Sequence, residues 1–74
     1  MKYTITSVNE KKYIALNAND AQIRTERDAS EIIEACLEQD TNLVMLEAGV
    51  LTDDFFNLRT GLAGAVLQKF VNFS

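Results

Sequence analysis

Apolar residues recur every three or four positions through the last third of the chain, and this spacing indicates a helix. Counted from Asp53, one helical face carries Phe55, Leu58, Leu62, Val66, Phe70 and Phe73. The stripe is widened by further apolar residues at Phe56, Ala63, Leu67 and Val71. A stripe this wide is typical of a helix that is buried on more than one side or that meets a partner.

Two glycines interrupt this helical pattern. Gly61 and Gly64 would lie inside a continuous helix, where each costs about 1 kcal/mol relative to Ala. One interpretation is that another backbone approaches closely. The other, which we favour, is a break near Arg59–Gly61, with a short turn over Asp53–Asn57 and a second helix capped by Thr60.

Two strands are predicted at the start of the chain. Lys2–Val8 and Lys12–Asn17 are rich in Tyr, Ile, Thr and Val and alternate between their two faces. The connection Asn9–Lys11 is short and polar, and Asn tolerates a left-handed backbone. This pattern predicts an antiparallel hairpin.

A well-patterned helix follows the hairpin. Thr25–Asp28 resembles a capping box with Asp in place of Glu, so we expect the helix to begin there. Its apolar face consists of Ala29, Ile32, Ile33, Cys36 and Leu37. Asp40–Asn42 is expected to end it.

The continuous apolar run Leu43–Leu46 predicts a strand that is covered on both faces. The order of strand, helix, strand and helix predicts a parallel pairing with a right-handed crossover. The sequence therefore predicts a single α/β domain over residues 1–74. It has a small mixed sheet, a β-hairpin followed by βαβα order, a central parallel strand and a C-terminal helix over that strand. So few elements leave at least one flank of the sheet open.

Composition narrows the choice of partners and compartment. The formal net charge is −4 and no Lys/Arg cluster offsets it, so we expect neither nucleic acid nor an anionic membrane surface as a partner. No apolar run approaches the roughly 20 residues that span a bilayer. The N-terminal residues lack a secretory signal, and a cytoplasmic location is expected.

The chain is also poor in the residues that most enzymes use. It contains no His, so the usual zinc sites and a His-based triad are excluded. Its one cysteine, Cys36, lies on the apolar helical face and is interpreted as structural, because a reactive thiol needs exposure. We expect no metal, no cofactor and no catalytic residue, and lean against an enzyme.

Two local patterns still allow chemistry. Asp53 and Asp54 follow the predicted N-cap Thr52; they are interpreted as complements to the helix dipole rather than as an acid/base or metal pair. The amides of Thr60–Gly64, beside Arg59, are the alternative: a small-anion or nucleotide site. That segment lacks the Lys of a P-loop and the spacing of a dinucleotide motif, so Gly chosen for packing or a kink is favoured.

A family resemblance rests on three stretches. They are Thr25–Ala29, Phe55–Gly64 and Val66–Phe70. In these residues the chain resembles a bacterial family of uncharacterised proteins, the domain of unknown function DUF4180. That family usually has an acidic residue where Ala65 stands here, and it continues beyond Asn72 with further strand and helix segments. The resemblance implies that this chain is the N-terminal part of the family domain, either naturally short or truncated.

More remotely, the order of elements resembles the STAS domain (sulfate transporter and anti-sigma-factor antagonist). In that fold a buried strand leads through an acidic, hydroxyl-containing loop into a helix, as Leu43–Leu58 does here. In that fold the loop is a partner-docking surface and can carry a phosphorylated Ser or Thr, so the resemblance implies a docking role for this loop. Thr52 and Thr60 are the nearest hydroxyls.

These patterns together predict a non-catalytic protein-interaction or regulatory module, with a protein or a second copy of itself as partner. The predicted partner-binding residues are Thr52, Asp53, Asp54, Phe56, Arg59, Thr60 and Gly61. A homo-oligomer is expected because the apolar helical surface exceeds what so short a chain can cover. The predicted oligomer face consists of Phe55, Leu62, Val66, Phe70 and Phe73.

Overall fold

A three-stranded sheet with helices packed on one face makes up the structure, a computed structural model that describes residues 1–73. The strands are β1 (Thr4–Val8), β2 (Lys11–Leu16) and β3 (Val44–Leu46). The helices are α1 (Glu26–Glu38), α2 (Asp53–Phe56) and α3 (Leu62–Phe73). Single 3₁₀ turns cover Ala48–Val50 and Leu58–Thr60. The predicted α/β class and element order are confirmed.

The predicted hairpin is present as β1 and β2. They pair antiparallel, with Ile5 opposite Ile14 and Val8 opposite Lys11. The two-residue turn between them has φ of 50° at Asn9 and 67° at Glu10. Positive φ at both central positions gives the turn a twist that matches the twist of the paired strands.

The third strand lies at an edge of the sheet, so the prediction that it is central and covered on both faces is wrong. β3 pairs in parallel with β2, which lies between the other two strands. Met45 and Leu46 are 45% and 41% exposed. A short apolar run is typical of a buried strand, but burial also requires a layer on each face, and Met45 lies on the sheet face opposite the helices.

The core lies between one face of the sheet and the helices. Ile14 and Leu16 of β2 are buried there, and Val44 and Leu46 of β3 share that face by register. The buried core consists of Ile14, Leu16, Ala21, Ile23, Ala29, Ile32, Ala35, Cys36, Val50, Leu62 and Val66. The opposite face carries alternate residues of the strands, and all of them are exposed or half-buried. Residues 1–73 therefore form two layers and leave one face of the sheet uncovered.

Helix α1 begins and ends as the sequence predicts. Thr25 and Asp28 form the reciprocal capping box at its N-terminus. At its C-terminus, Asp40 adopts φ of 52°, and the N–H of Thr41 donates to the C=O of Cys36 at 3.0 Å, as in a Schellman motif. The predicted apolar face is wrong at Leu37, which is 65% exposed. The apolar stripe of α1 is wider than the area that the three-stranded sheet and α3 cover, so Leu37 stays exposed to solvent.

The last third of the chain is broken, as we favoured, into α2, a 3₁₀ turn and α3. Gly61 lies at the break with φ of 70°, a conformation that residues with a Cβ adopt at a cost. Gly64 has neither a positive φ nor a neighbouring atom within 4 Å of an added Cβ. A kink therefore explains Gly61, whereas close backbone approach does not explain Gly64. Among residues 1–73, no helix combines the length and apolarity needed to cross a bilayer.

The two glycines should respond oppositely to Ala. Gly61→Ala is expected to destabilise the domain by about 1 kcal/mol, because Ala is strained at positive φ. Gly64→Ala is expected to stabilise it by roughly 0.5–1 kcal/mol, because Ala is the better helix former and the site is open. Urea unfolding of both variants and the wild type measures this difference. Changes of the same sign in both variants would contradict the assignment of the break.

The hairpin turn should also be improvable. Glu10→Gly is expected to stabilise the domain by about 0.5–1 kcal/mol, because φ of 67° at Glu10 suits Gly. Lys11→Gly is the control: Lys11 begins β2, so Gly there should destabilise. Thermal unfolding of the two variants compares them, and a loss of stability in Glu10→Gly would show that the turn is not strained.

Candidate functional site

The connecting segment, residues 52–61, contains all seven predicted partner-binding residues, and its own hydrogen bonds hold its shape. The hydroxyl of Thr60 lies 2.7 Å from the C=O of Asp54 and 2.8 Å from that of Asn57. The side-chain oxygen of Asn57 accepts from the N–H of Arg59 at 3.1 Å. Gly61 then turns the chain into α3. The segment is therefore a shaped surface rather than a loose linker.

Thr52 attaches this segment to the earlier part of the chain. Its hydroxyl donates to the C=O of Ile23 at 2.9 Å, and the neighbouring Leu51 forms a parallel bridge with Ile23. Thr52 lies at the predicted N-cap position, but its side chain makes no capping hydrogen bond to α2. The half-buried hydroxyl is engaged in the fold and is not displayed to a partner.

Two large apolar side chains of the segment project into solvent. Leu58 is 90% exposed and Phe56 is 64% exposed. The ring of Phe56 meets the ring of Phe55 edge-on, with centroids 5.5 Å apart and planes at 80°. Phe55 packs against the core, so this contact orients the exposed ring. The sequence pattern identifies Phe56 as a partner-binding residue but places Leu58 on the inward face of a continuous helix. The break after α2 changes the direction of the chain, and Leu58 is exposed.

Asp53 and Asp54 line a shallow groove of about 550 Å³ next to the segment. The groove also includes Gln22, Arg24 and Gly49, which sequence reasoning missed. Nε of Arg24 donates to Oε1 of Gln22 at 3.0 Å. No local sequence signal links these residues, because the bridge between Ile23 and Leu51 brings together positions far apart in the chain. The groove presents both signs of charge.

The alternative anion site has fewer amides to offer than its sequence implies. The N–H of Gly61 donates to the C=O of Leu58 at 3.3 Å, and the N–H of Leu62 to the hydroxyl of Thr60 at 3.2 Å. Both amides are therefore satisfied within the chain. Arg59 is exposed at the neighbouring position.

The residues expected to meet a second copy are placed largely inward. Leu62 and Val66 are buried in the chain's own core, so neither is available to a partner. Phe55, Phe70 and Phe73 are half-buried and pack against that core. Exposed apolar residues of α3 are instead Leu67 and Val71. Self-association through this face stays a prediction, and within it only the half-buried phenylalanines are accessible.

An apolar cavity of about 340 Å³ lies beside the outer edge of β3. It is lined by Cys36, Asn42, Val44, Leu46, Phe70 and Phe73. Val44 and Leu46 of the edge strand form one side of this cavity, and the two phenylalanines of α3 another. The sequence pattern does not indicate this cavity, because the apolar run Leu43–Leu46 predicts a strand that is covered on both faces.

Cys36 is buried, as its place on the apolar face of α1 predicts. Burial raises the pKa of its thiol, because the surroundings disfavour the thiolate. A neutral thiol is a weak nucleophile, which agrees with the structural interpretation of this cysteine.

The raised pKa has a signed effect on stability. As pH rises, the Cys36 thiol ionises in the unfolded chain before it ionises in the folded one. The stabilising contribution of the buried neutral thiol is therefore fully present below the ordinary thiol pKa and is lost as pH rises through the folded-state pKa. From about pH 7 to about pH 10 the wild type should lose more unfolding free energy than Cys36→Ala. Urea unfolding across this range measures the difference. Parallel pH profiles for the two proteins would contradict the effect.

The comparisons with known proteins place the chain in one family. The family model for the domain of unknown function DUF4180 matches residues 8–74. No curated protein and no solved structure matches the chain. Because the match covers nearly the whole sequence, the chain belongs to the DUF4180 family.

Proposed function

We propose that this domain is a non-catalytic protein-interaction or regulatory module that docks through the connecting segment. The main support for the proposal is that Leu58 is 90% exposed and that Phe56, two residues earlier, is 64% exposed. Single exposed apolar residues are common on protein surfaces. Two large ones, two residues apart in a segment held by its own hydrogen bonds, support an interaction surface there.

The energetics favour these two side chains as anchors. Burying a Leu or Phe side chain against a partner gains about 1.5–3 kcal/mol relative to leaving it in water. The hydroxyl of Thr60 and the amide oxygen of Asn57 already fix the backbone beneath them. Little further ordering is then required on binding, and a preorganised anchor retains more of its gain as affinity.

The charges around the anchors indicate the partner's chemistry. Asp53 and Asp54 are exposed and precede the anchors in the chain, and Arg59 is exposed and follows Leu58. A fitting partner has an apolar pocket for Phe56 and Leu58 with a basic group at the rim to meet the aspartates. Rim charges of this kind mainly affect the rate of association and the selection of partners.

Loss of the anchors should abolish docking without unfolding the domain. Leu58→Asp and Phe56→Ser are each expected to reduce partner capture by roughly tenfold or more, because an interface anchor is worth about 2 kcal/mol. Quantitative affinity capture from an extract of the source cells measures the loss. Both residues are exposed, so circular dichroism should show unchanged secondary structure.

The matched control is Val8→Asp. Val8 is 44% exposed and lies at the hairpin end of the sheet, whereas the chain enters the connecting segment from the other end, beyond Leu46. Val8→Asp should therefore retain every partner that Leu58→Asp loses. An identical set of captured proteins for the wild type and Leu58→Asp would overturn the proposal.

A further inference from the structure

The shallow groove of about 550 Å³ adjoins the connecting segment, and Asp53 and Asp54 belong to both. It also contains Gln22 and Arg24, which come from an earlier part of the chain. These two residues flank Ile23, which is buried and bridged to the chain just before the connecting segment. Because successive side chains of extended backbone point to opposite sides, the burial of Ile23 turns Gln22 and Arg24 outward together.

The guanidinium of Arg24 is held in a defined orientation. Its Nε donates to Oε1 of Gln22 at 3.0 Å, and its Nη2 contacts the same oxygen. The backbone beneath is fixed as well, since the N–H of Arg24 donates to Oδ2 of Asp28 at 2.8 Å, next to the capping box of α1. Gln22 is neutral, so the positive charge is oriented without being compensated. Little further ordering is then required when a partner's anion meets it.

The groove carries charges of both signs that do not pair with each other. In the part of the chain that the structure describes, Arg24 makes no ion pair, and neither do Asp53 and Asp54. All three residues are exposed. Charges that line one groove and are not neutralised within the chain can be met by complementary charges of a partner, and such pairs mainly decide which partner binds.

We propose that this groove selects the partner by receiving a stretch of it that carries an acidic side chain for Arg24 and a basic side chain for Asp53 and Asp54. The inference rests on the docking role proposed above and adds the partner's charge pattern to it. A carboxylate suits Arg24 because a guanidinium presents its N–H donors as a planar fork. The groove is shallow, so it covers one side of an extended segment, whereas sites for small molecules enclose most of their ligand.

Selection from a displayed library of random peptides, with the whole domain as bait, tests this charge pattern. Low ionic strength is used because salt screens exposed charges. Peptides enriched by the wild type and lost with Leu58→Asp should combine apolar residues with one acidic and one basic residue. Arg24→Glu should enrich peptides with a basic residue in place of the acidic one, because an attraction has become a repulsion.

Arg27→Glu is the matched control. It makes the same change of charge at an exposed residue of α1 that does not line the groove, so it should enrich the same peptides as the wild type. The hydrogen bond to the capping box uses the backbone N–H of Arg24, so substitutions of that side chain retain it.

A single enriched peptide then measures the contact to Arg24. Changing its acidic residue to the corresponding amide should weaken binding to the wild type by roughly two- to fivefold, the range of an exposed ion pair. The same change should leave binding to Arg24→Gln unaltered, because the positive charge is absent there. Fluorescence polarisation of the labelled peptide gives the four dissociation constants.

The contrary outcomes separate this inference from the docking proposal. Leu58-dependent peptides that carry the same charges on the wild type and on Arg24→Glu would overturn the inference and leave the docking role intact. A library without any Leu58-dependent peptide would also overturn it, whereas capture of folded partners still decides the docking role. Displacement of an enriched peptide by millimolar free glycine would assign the groove to a small zwitterion instead.

Discussion

The packing of β2 against the helices is the interaction on which the rest of the structure depends. β2 pairs with both other strands, and its Ile14 and Leu16 are the buried residues of the sheet. β3 takes its register from β2, and the connecting segment follows from the end of β3 that lies beside Leu16. A domain this small buries only about 60% of its unfolded surface, so little else compensates if this contact is lost.

Local rules in the sequence were sufficient for the elements whose signals are local. The capping box of Thr25 and Asp28 and the break at Gly61 follow from which side-chain and backbone geometries a residue permits. The same reasoning failed for β3 and Leu37, because their exposure depends on how many neighbours the fold brings to them. An apolar run is equally compatible with a central strand and with an edge strand.

Only the part of the candidate site that lies within one stretch of sequence could be predicted. The sequence identified residues 52–61 because acidic, hydroxyl and glycine positions cluster there. It could not identify Arg24 or Gln22, which reach the groove through a bridge between distant positions. Nor could it identify Leu58 as the most exposed large apolar residue, because helical spacing assigned it to the core face until the break rotated it outward.

The first strand contributes none of the buried core residues, although the sheet includes it. β1 is held by its backbone ladder to β2 and, just before it, by the hydroxyl of Tyr3 donating to Glu38 at 3.2 Å. A strand with no buried side chain can peel away while the helices and the other strands stay packed. Such fraying would bare the second edge of β2.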